Sequence, residues 1–285
     1  YLCFSFAKLQ NFISTFVAMK KKSLIMALAV LAITSCGSRK DRKIVGLDGM
    51  HFDSLSVDTI VRLSPKTGSP SLKLQLILTY IKGKNAERIN PVLLRSGILS
   101  PDYLSLSSER MTVRTAVDSF VNAYSRGYMK DYAAIYKQDP THPTSLNNVY
   151  ILHTHVESRA DHTLNYFANI HYYGGGIHPL DQTLVRNFDT KTGKLITLND
   201  LFVPGYQKGI EEVIRQALLK KYKVDNWQQL ARRYFFASGK IYAPDNFIVG
   251  DKEITFIYCE DEIAPHSEGE IRLTIKKSKL KHWLR

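Results

Sequence analysis

The sequence predicts an α+β fold, with antiparallel sheets and packed helices arranged in two small subdomains. Residues 71–80 (SLKLQLILTY) alternate between leucine or another apolar residue and polar residues, which indicates a strand. Between residues 108 and 136, apolar side chains recur at spacings of three and four, which indicates an amphipathic helix that Gly127 divides into two. Strands follow these helices as a group instead of alternating with them, and this order favours α+β over a βαβ series.

The other elements follow in order along the chain. Residues 85–96 are weakly helical around Pro91, and the pair 148–157 and 163–171 flanks a turn as a hairpin. Apolar spacing predicts helices at 207–222 and 226–236. Further strands are predicted at 181–189, 247–249, 254–259 and 270–275, with a short last element at 279–284.

This pattern divides the chain into four parts. Residues 1–35 are interpreted as an upstream extension followed by a signal peptide, and residues 36–69 as a polar tether without sustained periodicity. Residues 70–160 are predicted to form an N-terminal α+β subdomain, and residues 161–285 a C-terminal α+β domain.

The leader carries the clearest indication of location. Lys20, Lys21 and Lys22 follow Met19, which we interpret as the start, and a short apolar stretch then leads to Cys36. The stretch is shorter than the roughly 20 residues that a spanning helix needs. The order resembles the lipobox of bacterial lipoproteins, with Ile33 at the usual leucine. We therefore expect Cys36 to be the lipid attachment site of a membrane-anchored lipoprotein in the bacterial cell envelope, facing the periplasm or the cell surface. The alternative is an ordinary secretory signal with an incidental cysteine.

The chain has 39 Lys and Arg against 26 Asp and Glu, and without the four lysines of residues 1–35 its net charge is +9. Such an excess attracts anionic partners, such as lipid headgroups, acidic glycans and peptidoglycan carboxylates, or it is simply a solvated surface. Nucleic acid is not expected for an exported chain. Cys259 lies in a strand-like run, so a buried thiol without a disulfide partner is expected.

The candidate ligand-binding residues surround a run of three glycines. They are Tyr172, Tyr173, Gly174, Gly175, Gly176 and His178. Three glycines allow positive φ or a close approach of backbone. The run lies between strands, so it is not a phosphate-binding loop that opens a helix. Two interpretations remain open: a tight structural crossover, or a contact with a ligand through the tyrosines and His178.

The sequence gives weaker indications of a metal site or of a catalytic site. His153 and His155 would face the same side of a strand and begin a metal site, but no third ligand is evident unless His142, His162 or His171 approaches. Acidic residues cluster near His266 in a turn-rich region, where a solvated loop is the simpler interpretation. No catalytic residue, resident metal or cofactor is predicted, since the usual hydrolase and nucleotide-binding motifs do not occur.

Residues 171–202 (HYYGGGIHPLDQTLVRNFDTKTGKLITLNDLF) carry a recognisable pattern. Together with Asn246-Phe247 and residues 262–266 (EIAPH), they resemble the RsiV-like domain of unknown function over about residues 165–277. His266 stands where that family has tyrosine. The resemblance implies a fold more than a chemistry. Its known members include an anti-sigma factor that senses lysozyme and a peptidoglycan deacetylase, and this chain has neither a sigma-binding segment nor a deacetylase motif. Lysozyme binding is disfavoured because two basic proteins repel each other.

These observations favour a non-enzymatic binding module of the cell envelope. The expected partners are the membrane, through the lipid anchor, and cell-wall glycan or an envelope protein. The alternative is a hydrolase acting on peptidoglycan or another glycan, with or without a metal, that uses His153, His155 or His178.

Overall fold

A computed structural model describes residues 47, 49–99, 111–237 and 239–285. All of them lie in one compact unit, residues 42–285. They form a six-stranded sheet in the order β1-β2-β3-β4-β5-β6 and a separate three-stranded sheet in the order β7-β8-β9. Six α-helices accompany these sheets within the described residues. The predicted α+β fold is confirmed.

The strands of the six-stranded sheet are β1 (Met50–Arg62), β2 (Ser71–Gly83), β3 (Asn148–Ala160), β4 (Thr163–Tyr173), β5 (Leu180–Asp189) and β6 (Leu195–Ile196). The three-stranded sheet consists of β7 (Phe247–Val249), β8 (Glu253–Tyr258) and β9 (Ile271–Lys276). The helices are α1 (Ala86–Leu94), α2 (Val113–Gln138), α3 (Leu198–Leu201), α4 (Gln207–Tyr222), α5 (Trp227–Ala231) and α6 (Lys277–Leu280). Short 3₁₀ turns occur at Pro143–Leu146 and His266–Glu268.

The predicted tether contains a strand. β1 pairs antiparallel with β2 along its full length, from Met50 opposite Gly83 to Arg62 opposite Ser71. The interpretation of residues 36–69 as a tether is therefore wrong for residues 50–62. Six of the 13 residues of β1 are apolar, but they do not all fall on alternate positions, because Phe52 and Ile60 are out of step with Leu55, Val57 and Val61. The alternation is therefore broken in the sequence, and the order of the segment comes from pairing with a strongly apolar neighbour. Residues 36–46, and with them Cys36, lie outside the described residues.

One strand pair differs from the predicted antiparallel arrangement. β2 and β3 are parallel, with Leu72 opposite Asn148 and Ile77 opposite His153. Parallel neighbours need a long crossover, which α1 and α2 provide here. Both helices pack on the leucine face of β2, whose members Leu72, Leu74, Leu76 and Leu78 are buried as the alternation predicts.

Two helices differ from their predicted extents. α2 runs unbroken through Gly127, and its buried residues continue from Phe120 to Tyr128 on one face. α5 ends at Ala231, although the pattern predicts helix to residue 236. Phe235 and Phe236 are both buried. Adjacent residues of a helix point about 100° apart, so burying both rings in one core favours a turn instead.

The predicted boundary at residues 160/161 falls within the β3–β4 hairpin. β3 and β4 are paired from Val149 opposite Tyr173 onward, so the six-stranded sheet spans the boundary. The second core is built from residues 198 onward, together with Ala160. The two strands of a hairpin contribute side chains to the same buried face of the sheet. A domain boundary inside the hairpin would assign the two halves of that face to different domains.

Buried asparagines join the two sheets. Asn187 on β5 donates to Phe247 O at 2.8 Å and accepts from Val249 N at 3.2 Å. Asn165 on β4 donates to the Asn187 side chain at 2.7 Å and to Val249 O at 3.1 Å. These amides satisfy the backbone of β7 as a neighbouring strand would, so β7 lies across β4 and β5 without pairing with them. Within the described part of the chain, no helix is both long and apolar enough to cross a membrane.

Candidate functional site

The triple glycine lies in the loop between β4 and β5, and its middle member is structurally required. Gly175 has φ +80°, and a Cβ there would lie 2.2 Å from Ser145 O in the first 3₁₀ turn. A side chain at this position would meet both an unfavourable backbone region and a backbone atom that cannot move aside. Tyr132 further fixes the loop by donating from its hydroxyl to Gly174 O at 3.4 Å. Of the two interpretations of the glycine run, the tight structural crossover therefore applies to Gly175.

The next residues of the loop face open space. No atom among the described residues lies within 4 Å of a Cβ placed on Gly176. Ile177 is 91% exposed at the tip of the loop. His178 then stacks on His266, with ring centroids 4.7 Å apart and an interplanar angle of 16°. The loop thus brings its histidine against a ring that lies 88 positions later in the sequence.

Carboxylates hold the second imidazole of this pair. His266 Nδ1 lies 3.1 Å from Asp261 Oδ2 and 3.8 Å from Glu260 Oε2. Asp261 itself has φ +61°, a conformation that aspartate tolerates better than most residues. These contacts fix the plane of the His266 ring. The stacked ring of His178 and the outer edge of the His266 ring stay at the surface.

These groups line an open cleft of about 510 Å³. Its walls are Tyr172, Gly174, Gly176, His178, Pro179, Leu180, Asp261 and His266. Tyr172 is 38% exposed. Tyr173 and Gly175 are not among the lining residues, because successive strand residues point to opposite faces and because Gly175 turns toward Ser145. The cleft therefore gathers four of the six residues predicted from the sequence.

The free edge of β5 explains why His266 is close to His178. Backbone amides along this edge are bound by side chains: Asp181 N donates to Glu260 Oε2 at 2.9 Å, and Thr183 N donates to Glu270 Oε2 at 3.0 Å. Val185 N likewise donates to Asn246 Oδ1 at 2.7 Å. Three side chains thus take the place of a neighbouring strand and satisfy donors that would otherwise be unpaired. They also hold residues 260–270 beside the start of β5.

His153 and His155 lie on the same face of β3, as predicted, but have different surroundings. His153 lines a neighbouring cavity of about 360 Å³ together with His171, Asp181 and Glu260. His155 Nε2 lies 3.5 Å from Glu157 Oε1, and its ring stacks on Phe167 at 4.8 Å. Among the described residues, no group of three histidines, cysteines or carboxylates is arranged to hold a metal ion.

Cys259 is buried at the end of β8, in agreement with its strand-like context. Its thiol lies 3.7 Å from Asn246 Nδ2. Burial raises the pKa of this thiol to about 12, and the carboxylates of Glu262 and Glu270 act in the same direction. A neutral, enclosed thiol is a packing group and not a nucleophile.

Several signature residues that carry the family resemblance have structural roles. Asp189 accepts from Thr192 N and from the Thr192 hydroxyl, each at 2.7 Å, and so closes the turn after β5. Thr197 and Asp200 form a capping box at the start of α3, with Thr197 N donating to Asp200 Oδ2 at 2.8 Å. Asn246 bridges the sheets, as described above. The signature therefore maintains the fold around the cleft.

Part of the chain matches a family of unknown function. Residues 199–278 match the family model described as Protein of unknown function (DUF3298). This matched region contains His266 and Asp261, which line the cleft, whereas His178 lies before it.

Two solved structures of DUF3298 family proteins are similar to this chain. One, from Bacteroides fragilis NCTC 9343, has a TM-score of 0.73 at 22% identity, and the match covers 83% of this chain and 94% of that one. The other, from Pseudomonas aeruginosa PAO1, has a TM-score of 0.59 at 17% identity, with coverage of 84% and 97%. At these identities the likeness concerns the fold alone. No curated protein matches the chain.

Sequence reasoning missed His266 and Asp261 as members of the site. The acidic run was interpreted as a solvated loop, yet Glu260 and Glu262 bind backbone amides and Asp261 pairs with His266. One signal was available: His266 replaces a tyrosine of the RsiV-like pattern, so a planar ring occupies a position where the pattern has a ring. Its contact with His178 follows from tertiary packing and leaves no local pattern.

Proposed function

We propose that this chain is a binding module of the bacterial cell envelope, and that the cleft between Tyr172 and the His178–His266 pair binds cell-wall glycan. The observation that carries the proposal is the stacked imidazole pair at the open edge of the cleft. Sugar rings present an apolar C–H face and a rim of hydroxyls. Aromatic faces pack against the first, while imidazole nitrogens, a tyrosine hydroxyl and a carboxylate exchange hydrogen bonds with the second.

The openness of the cleft supports a polymer over a small enclosed ligand. Tyr172 is partly exposed, and the loop ends in open space at Gly176 and Ile177. A polysaccharide can lie along such an open groove, whereas a small ligand is usually bound in an enclosed pocket. The basic excess of the sequence adds a general attraction to anionic wall polymers.

The envelope location in this proposal rests on the leader and on Cys36. Replacing this cysteine, Cys36→Ser, removes the acceptor for a lipid. The variant is expected to move from the membrane fraction to the soluble fraction after cell lysis. Retention in the membrane fraction would contradict lipid anchoring at this residue.

Co-sedimentation with purified peptidoglycan sacculi tests the binding. We expect saturable binding by the chain, and a loss of at least about tenfold in affinity for Tyr172→Ala and for His178→Ala, a change of about 1.4 kcal/mol. His51→Ala is the matched control, because His51 is an exposed histidine on β1 outside the cleft. No binding at low salt, or equal binding by all variants, would contradict the proposal.

The pairing of His266 with Asp261 favours a second candidate, a hydrolase that acts on the same glycan. An imidazole held by a carboxylate is a common general base. Release of soluble sugars or amines from sacculi by the chain, abolished in Asp261→Asn, would support this alternative over binding alone. Intact sacculi after prolonged incubation would favour the binding module.

A further inference from the structure

A third cavity, with no lining residue of the cleft, surrounds a guanidinium group. Its volume is about 680 Å³, within the range of about 300–1,000 Å³ typical of small-molecule sites. It lies between the end of α1, the β5–β6 pair and the start of β7. Its walls are mainly apolar and include Pro91, Val92, Val185, Leu195, Ile196 and Phe247.

Arg186 projects into this cavity from β5. Its Nη1 donates to Val185 O at 2.8 Å, and its Nη2 donates to Ser96 O at 2.5 Å. A guanidinium has five N–H donors, so three remain after these two bonds. Among the described residues, no carboxylate lies within 4.0 Å of Arg186 to form an ion pair. Burial lowers the pKa of the Arg186 guanidinium, with the charge of Asp245 opposing this shift.

A partly buried cation without a bound carboxylate is costly, and an anionic ligand would offset that cost. Arginine suits this task because its planar fork binds both oxygens of a carboxylate at once. The cavity is lined by two cations, Arg95 and Arg186, and one anion, Asp245. The remaining donors of Arg186 match a carboxylate, and the apolar walls match a hydrocarbon body.

We propose that this cavity binds a small monocarboxylate with an apolar body, such as an acylated amino acid or the carboxyl end of a short apolar peptide. The carboxylate binds Arg186, and the hydrocarbon part contacts Val92, Leu195 and Phe247. This site does not depend on the glycan cleft, because the two share no lining residue.

Titration calorimetry with N-acetyl-L-leucine tests the site, with N-acetyl-L-leucinamide as the uncharged probe of the same shape. The acid is expected to bind saturably in the millimolar range or tighter, and the amide at least about tenfold more weakly. Arg186→Gln is expected to weaken binding of the acid by at least about tenfold. Arg88→Gln is the matched control, because Arg88 also donates to a backbone carbonyl, Thr192 O at 2.9 Å, but lies outside the cavity.

A second measurement follows the amide chemical shifts of the unmodified chain during titration with the acid. It does not depend on how well the Arg186→Gln variant folds. The acid should shift the signals of Ser96, Arg186 and Phe247, which border the cavity. Equal binding of acid and amide, shifts confined to other regions, or no saturable binding at millimolar concentration would each overturn the proposal. Undiminished binding by a folded Arg186→Gln variant would overturn it as well.

Discussion

At the residue scale, the three glycines of the β4–β5 loop differ in what they do. Gly175 combines a positive φ with a backbone oxygen where its side chain would be, whereas Gly176 borders open space. The sequence alone does not distinguish these roles, because the three residues are identical. The structure assigns the close approach to one glycine and leaves its neighbour free to border the cleft.

Replacing these two glycines by alanine should therefore have unequal effects. Gly175→Ala is expected to lower the free energy of unfolding by on the order of 2 kcal/mol, through backbone strain and the clash with Ser145 O. Gly176→Ala should change it by no more than about 0.5 kcal/mol. Urea denaturation measures both values. Equal losses for the two variants would show that the loop is not anchored at Gly175.

Cys259 gives a pH-dependent prediction at the same scale. The ordinary thiol pKa is 9.0, and burial raises that of Cys259 to about 12, so the native thiol stays protonated at pH 8. Alkylation by iodoacetamide at pH 8, located by mass spectrometry, should be far slower at Cys259 in the native chain than in urea. A folded pKa above the unfolded one also means that this burial stabilises the fold below pH 9 and that the stabilisation is lost as the pH rises toward about 12. Rapid native alkylation would contradict the enclosed position.

At the element scale, polar side chains form the hydrogen bonds to strand backbone that a neighbouring strand would otherwise form. Glu260, Glu270 and Asn246 bind amides of the free β5 edge, and Asn165 and Asn187 bind the backbone of β7. These contacts set the position of the three-stranded sheet against β5. They therefore also bring His266 against His178 on the loop, where the two rings stack.

Asn187→Ala tests the role of these asparagines. It leaves Phe247 O and Val249 N without their partner, at about 1–3 kcal/mol for each buried group that stays unsatisfied. Asn169→Ala serves as the control, since Asn169 is exposed on the neighbouring strand. Thermal or urea unfolding should show a clear loss for Asn187→Ala and little change for Asn169→Ala. Comparable stability of both variants would mean that the inter-sheet bonds contribute little.

At the scale of the whole molecule, two cores meet through a small contact. The first core lies between the six-stranded sheet and the helices α1 and α2, and the second surrounds the three-stranded sheet. Four buried apolar residues join them, Phe167, Val185, Ile248 and Ile257, beside the asparagine bridges. Coupling through this contact should make the two cores unfold together.

Denaturation followed by two probes checks this expectation. Both tryptophans of the chain, Trp227 and Trp283, pack against the second core, so their fluorescence reports on that core. Far-UV circular dichroism includes the long helix α2 of the first core. The two transitions should coincide for the unmodified chain. Separate midpoints would show that the cores are independent.

The extent to which the sequence predicts this molecule follows from the range of the interactions involved. The leucines of β2 and the apolar face of α4 are local patterns, and both elements are confirmed with nearly their predicted bounds. β1 and the parallel β2–β3 pair depend on partners distant in sequence and were missed. In the same way, Tyr172 and His178 were found from the glycine run, whereas His266 and Asp261 join them only through the packing of the two sheets.

The central claim is that the cleft formed by Tyr172, His178 and His266 binds glycan. Titration of the isotope-labelled chain with soluble peptidoglycan fragments, followed through the imidazole signals, tests it most directly. The signals of His178 and His266 should shift saturably, whereas that of His51 on β1 should not, and Tyr172→Ala should weaken the effect by at least about tenfold. Unchanged signals of His178 and His266 at saturating fragment concentration would contradict the claim.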